Sequence, residues 1–197
     1  MQNNISVVLS GYSHAEALKK VLWGYNTQTY RNFEMVIIGN AEVPQELQEE
    51  LFFSVRAVDN QSNGTVIDTA LPYCTTNYLL LADAGAIPRN DFVEQHIKYR
   101  EEGFYLTGGV TMIPQALFDG ISREDIYSGK CFIRPGSGSR SGLFGSILNR
   151  LVPPDSQWNS QNASGWKEDL CGHGPLSSRL RPRQIKYSTM CLRANSR

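Results

Sequence analysis

One carboxylate, Asp83, follows the apolar run YLLLA (78–82) and opens the turn DAGA (83–86). At the end of a buried strand such a group can hold a divalent cation, because magnesium and manganese take oxygen ligands and share them with phosphates and water. Two acids one residue apart would bind more firmly, but the second position is Gly85 and the next is Ala86. A second acidic pair, Glu168 and Asp169, lies in GWKEDL (165–170), at the predicted start of a short helix. A carboxylate within reach of a hydroxyl acts as a general base, an effect on the order of 10²–10⁴-fold. An acid there also stabilises the helix N-terminus, so two readings stand side by side. His173, between glycines in CGHGP (171–175), reads as a ligand, a phosphate contact or a plain loop residue. His14 lies close to the first strand-end turn, His96 reads as a surface residue, and Glu124–Asp125 in SREDI as a solvated helix start.

Bulk properties bound the classes of partner. Lysine plus arginine equal aspartate plus glutamate at 19 each, which gives no general drive toward nucleic acid or an anionic membrane. The basic residues gather late, at Arg179, Arg181, Arg183, Lys186, Arg193 and Arg197. They form either a solvated face or a basic wall beside a phosphate-bearing ligand. Cys74, Cys131, Cys171 and Cys191 have no ligand-like spacing, which argues against zinc and for a reduced, cytoplasmic chain. The sequons at Asn60, Asn63 and Asn162 carry meaning only in a secreted protein, and the N-terminus leads into a strand rather than a signal peptide. No apolar run nears the roughly 20 residues that cross a bilayer.

The elements that must position these residues alternate. ISVVL (5–9), EMVIIGN (34–40), SVRAVDN (54–60), YLLLA (78–82) and FYLTGGVTMI (104–113) read as strands. Helices are expected from Ser13 as a cap with Glu16 completing a capping box, over 44–53 with Pro44 in the first turn, over 65–71, and over 88–103. RPGSGSRSGLFGS (134–146) reads as a flexible loop, and QIKYSTMCLRA (184–194) as a last strand or strand-helix piece. Alternation of this kind implies an α/β fold whose mostly parallel sheet carries helices on both faces, with ligands beyond the strands' C-terminal ends. Ser10–Gly11–Tyr12, Gly39–Asn40 and Asp83–Gly85 then fall along one rim.

Three segments carry a resemblance. ISVVLSGYSHAEALKKVLWGYNTQTYRNFEMVIIGNAE, TTNYLLLADAGAIPRNDFVEQHI and GWKEDL with SSRL resemble, in order, the conserved stretches of family 2 inverting glycosyltransferases of the GT-A fold. The likeness runs with gaps over about 5–180, and QTYRNFE is its most specific string. It implies a single domain over 1–197, with a nucleotide-sugar-binding half (1–113) and an acceptor-side half (114–197). The implied activity is hexosyl transfer, with inversion, from a nucleotide-diphospho-sugar, most simply a UDP-sugar, to a glycan or lipid-linked acceptor in polysaccharide or cell-envelope assembly. By position, Ser10, Gly11, Tyr12, Asn40, Asp83 and Gly85 would line the donor site, Tyr12 by stacking on the base. Asp83 would hold manganese or magnesium, Asp169 or Glu168 would be the base, and Trp166, His173 and Arg179 would face acceptor or phosphate. Trp158 and Trp166 would stack on sugar rings or pack in the core. The chain ends soon after the presumed base motif, so a partner protein or the inner face of a membrane would complete the acceptor side.

The departures cluster at the donor site: Gly85 for the second acid, Gly39 and Asn40 where acids end the second strand, and Ile67–Asp68 where a basic residue is common. They leave a competing reading, a catalytically silent GT-A-like binding module. A nucleotidyltransferase fits less well, because SGYSHAEA lacks a basic, glycine-rich phosphate loop.

Overall fold

Strands built from unbroken apolar runs must be covered on both faces. The computed structural model, which describes residues 4–11, 14–39, 43–59, 65–132, 162–170, 181–184 and 191–195, shows this for β1 (Ile5–Ser10), β2 (Phe33–Ile38) and β4 (Tyr78–Asp83). β3 (Val55–Val58), at the sheet edge, is partly exposed. Side chains alternate between two cores. Val7, Leu9, Met35, Ile37 and Leu80 join one, while Val8, Val36, Ile38 and Leu79 join the other. The first core is covered by α1 (Ala15–Asn26) through Leu18, Val21, Leu22 and Tyr25, and the second by α3 (Val66–Ala70) through Ala70.

β6 (Phe104–Thr107), β8 (Ala163–Trp166) and β9 (Arg181–Gln184) extend the sheet to the order β3-β2-β1-β4-β8-β6-β9. Its strands are parallel apart from β8, which runs antiparallel to both neighbours. A second sheet, β5-β10-β7, is formed by β5 (Ala86–Pro88), β7 (Val110–Pro114) and β10 (Cys191–Asn195). The mixed α/β architecture with a mostly parallel sheet and helices on both faces is as expected. Strands from 114–197 enter both sheets, so the two halves of the sequence interleave.

Several elements depart from the sequence reading. The stretch 104–113 is two strands in different sheets, because the chain crosses from one to the other at Gly108–Gly109. Residues 88–103 hold only the helix α4 (Phe92–Lys98), since 86–88 are taken into the small sheet and an Arg89–Asp91 ion pair closes the turn between them. The cap of α1 is His14, exposed and without a side-chain capping bond, rather than Ser13, which lies outside the described residues. Capping boxes occur instead at Thr65–Asp68, before α3, and at Ser122–Asp125, before α6 (Arg123–Tyr127). The latter makes Glu124–Asp125 the helix start that was expected. The loop expected at 134–146 lies outside the described residues.

α1 is locked by two contacts. Buried Lys20 donates to the carbonyls of Phe118 (2.9 Å) and Asp119 (2.7 Å) near the end of α5 (Gln115–Gly120), and burial lowers its pKa despite nearby Asp119 and Glu16. Gly24 lets the helix meet β5: a Cβ there would stand 2.7 Å from Pro88 Cδ and 3.1 Å from Ile87 Cγ2. Alanine would add about 1 kcal/mol of helix propensity, but overpacking against a rigid proline ring costs about 1–3 kcal/mol. Gly24→Ala is therefore expected to destabilise, read as a lower urea midpoint at unchanged slope; an equal or higher midpoint would refute the close packing.

Candidate functional site

The parallel register sets the C-terminal rim. Ser10 of β1 lies opposite Asp83 of β4, and the Ala84 N–H donates to the Ser10 carbonyl at 2.8 Å. β1 and β2 leave the sheet through Gly11 (φ 102°) and Gly39 (φ 135°), left-handed conformations that favour glycine. A Cβ on Gly11 would lie 4.0 Å from Asp83 Oδ1, so that turn sits directly over the carboxylate. The expected convergence of Ser10, Gly11, Asp83 and Gly85 is thus present. Tyr12, Asn40, His173 and Arg179 lie outside the described residues, as does Trp158.

Asp83 is 8% exposed, and both its oxygens are engaged. Oδ1 accepts from the Gly85 N–H at 2.6 Å, and Oδ2 lies 2.9 Å from Arg193 Nη1 on β10. Its N–H donates to Asn162 Oδ1 at 3.3 Å. Asn162, fully buried, ties the rim together: its carbonyl accepts from the Gly108 N–H at 3.2 Å, and its Nδ2 donates to Cys191 Sγ at 3.5 Å. Beneath lies Tyr25, whose phenol is pushed well up, first by burial and then by the nearness of Cys191 and Asp83. Burial likewise raises the thiols of Cys191 and, to about 12, Cys131, so both are packing groups rather than nucleophiles. Sequence reading named Asn162 only as a sequon and Arg193 only within the basic C-terminal cluster that could face a phosphate-bearing ligand.

The same register separates the second acidic pair from this rim. β8 runs antiparallel, with Ala163 opposite Leu81 and Trp166 opposite Tyr78, and the Lys167 N–H donates to the Asn77 carbonyl at 2.7 Å. The helix α7 (Lys167–Leu170), with Glu168 and Asp169, therefore begins beside the start of β4. Asp83 ends that strand, about 16 Å away at roughly 3.3 Å per residue. The expectation that the KED carboxylates face Asp83 across one cleft is corrected: the direction of β8 puts them at the other end of the sheet. Trp166 goes with them and takes the packing role, edge-on to Tyr78 at 5.2 Å with Arg100 over its ring at 5.8 Å.

His96 is likewise corrected from surface to core. It is fully buried, edge-on to Phe92 at 4.8 Å, with Nδ1 2.7 Å from Ser164 Oγ. Burial lowers its pKa to about 3, so it stays neutral.

Among the described residues the rim offers a divalent cation no ready set of ligands. Such an ion needs several oxygen ligands, whereas Asp83 is a single carboxylate with both oxygens engaged. Among the described residues no group of three or more His, Cys, Asp or Glu side chains could hold a metal. An acid at 85 would bring a Cβ to 3.2 Å from Asp83 Oδ1, so the Asp83 carboxylate would have to give by a few tenths of an ångström.

This fold, GT-A-like in its mostly parallel sheet, is similar to solved glycosyltransferase structures. The mannosyltransferase PcManGT from Pyrobaculum calidifontis, in complex with GDP-Man and Mn2+, superposes with a TM-score of 0.58 at 14% identity, over 99% of this chain and 57% of that one. S. aureus TarS 1–349 in complex with UDP-GlcNAc gives 0.59 at 11% identity, over 98% and 59%. Another S. aureus TarS structure gives 0.56 at 14%, over 98% and 37%. The chain thus spans well under two thirds of each of these structures. No protein-family model matches the sequence, and no curated protein matches it.

Proposed function

We propose that the chain is a glycosyltransferase domain that binds a nucleotide-diphospho-sugar, most simply a UDP-sugar, at the Ser10–Gly11–Asp83–Gly85 rim. The sugar would pass to a glycan or lipid-linked acceptor, with inversion as in family 2 enzymes, reached at the inner face of a membrane or beside a partner protein. One observation carries the reading: Asp83 and Ser10 share a register at the C-terminal rim, under a turn whose Gly11 adds no side chain over the carboxylate. Among the described residues no helix is long and apolar enough to cross a membrane.

The test is thermal unfolding against UDP, GDP and their sugars. At a ligand concentration of 100 times Kd, stability rises by about 2.7 kcal/mol, expected as a Tm increase of about 5–10 °C in a chain of this size. No increase with any nucleotide would refute the donor site.

The position of the KED pair favours a second reading, binding without transfer, because it leaves those carboxylates far from the rim. Nucleotide release from a bound nucleotide sugar, measured with oligosaccharide and lipid-linked acceptors, separates the two. Asp169→Asn and Glu168→Gln are expected to change neither donor binding nor any release rate. Release abolished by Asp169→Asn would restore that residue as the base.

A further inference from the structure

We infer that Arg193 supplies, within the chain, the positive charge that a divalent cation would otherwise bring to a bound diphosphate, so that nucleotide binding is independent of metal. The inference rests on the donor-site reading above. Two features of the rim are halves of one arrangement. Gly85 removes the second acid, and Arg193 lies alongside it, its Nε 4.0 Å from where a Cβ would stand. The guanidinium then pairs with Asp83 Oδ2 at 2.9 Å while a quarter of the Arg193 side chain remains exposed at the rim.

Asp83 thereby becomes a positioning residue. It is held from one side by the Gly85 N–H and from behind, through its own N–H, by Asn162. A carboxylate fixed in this way cannot turn both oxygens to an ion, but it can hold an arginine in one orientation. The planar fork of a guanidinium matches phosphate oxygens, and unlike a bound ion it cannot dissociate or lose its charge near neutral pH. β10, which bears Arg193, pairs with both β5, just past the Asp83 turn, and β7, so the cation stands on a paired strand.

The experiment is calorimetric titration of the full chain with UDP and GDP, each in EDTA and in manganese, with uridine and guanosine as controls. Wild type is expected to bind the diphosphates with the same affinity, within about twofold, in both conditions. Losing a hydrogen bond to a charged group costs about 1.5–3 kcal/mol, so Arg193→Ala is expected to weaken diphosphate binding by about 10–100-fold and nucleoside binding hardly at all. Arg193→Lys should recover part of the loss. If the alanine variant fails to fold, the neutral pair Asp83→Asn/Arg193→Gln replaces it with the same expectation. Binding that needs manganese and vanishes in EDTA would overturn the role of Arg193 and leave the donor site standing. Equal loss of diphosphate and nucleoside affinity in the folded variant would reduce Arg193 to a structural residue. Absence of binding in wild type under every condition would overturn both.

Discussion

Replacing Glu34 with alanine is expected to lower the unfolding free energy by about 3–5 kcal/mol, a large share of the total for a domain. Glu34 is the second residue of the buried strand β2, and its carboxylate is satisfied. Oε1 accepts from Ser6 Oγ at 2.5 Å and from the Thr75 N–H at 2.6 Å, and Oε2 accepts from Thr75 Oγ1 at 2.8 Å. The Ser6 hydroxyl also lies 2.7 Å from Thr76 Oγ1, which donates to the Tyr78 carbonyl. One carboxylate thus joins β1, β2 and the lead into β4. Alanine would strip three bonds to a charged group, worth about 1.5–3 kcal/mol each, one of them from the buried Ser6 hydroxyl and two from Thr75. Glu34→Gln, which keeps the shape and one acceptor, should lose roughly half as much. Urea unfolding with an unchanged slope measures both; a loss below 1 kcal/mol for alanine would mean that the cradle is not a stabilising element. Because the cradle lies at the opposite end of the strands from Asp83, nucleotide affinity in the folded fraction should not change.

That residue also shows what the sequence could and could not reveal. QTYRNFE is the most specific string in the resemblance, and the structure makes it scaffold. The Gln28 amide donates to the Gly24 and Arg89 carbonyls and accepts from the Val93 N–H, pinning the end of α1 to the start of α4. The central strands were legible because burial on both faces demands unbroken apolar runs. β8 was not: ASGW has no β-branched residue, since Ser164 must sit under His96 and a Cβ on Gly165 would press on Leu170 at 3.1 Å. Missing that strand hid its direction, and direction alone decides which end of the sheet receives KED. At the rim, Ser10, Gly11 and Asp83 were legible because strand ends are local features. Asn162 and Arg193 were not, because a lone asparagine in a sequon and one arginine in a basic tail acquire meaning only when distant strands bring them beside Asp83.

The second large effect is on acid stability. His96 sits at the end of a buried relay in which the Tyr78 hydroxyl lies 3.0 Å from Ser164 Oγ and Ser164 Oγ lies 2.7 Å from His96 Nδ1. Burial raises the Tyr78 pKa and keeps its proton in place. With Tyr78 donating to Ser164 and Ser164 to Nδ1, the imidazole proton falls on Nε2, which has no hydrogen-bond partner. A second proton would have to go on Nδ1, against the Ser164 hydroxyl and, among the described residues, with no carboxylate bonded to the ring. Unfolded, the residue titrates near 6.5; folded, it resists protonation down to about 3. The unfolded chain therefore binds more protons between those values. Stability is full above pH 6.5 and falls with acid at up to about 1.4 kcal/mol for each pH unit, on the order of 4–5 kcal/mol across the window. His96→Gln removes this proton uptake while other ionisable groups remain common to both proteins, so the difference between their stability curves isolates it. Urea unfolding at pH 7, 6, 5 and 4 should show wild type losing stability faster than the variant in the lower part of that range. Parallel curves would mean that the folded protein takes up the proton on His96 as readily as the unfolded chain does, and that the core around Ser164 opens to admit it.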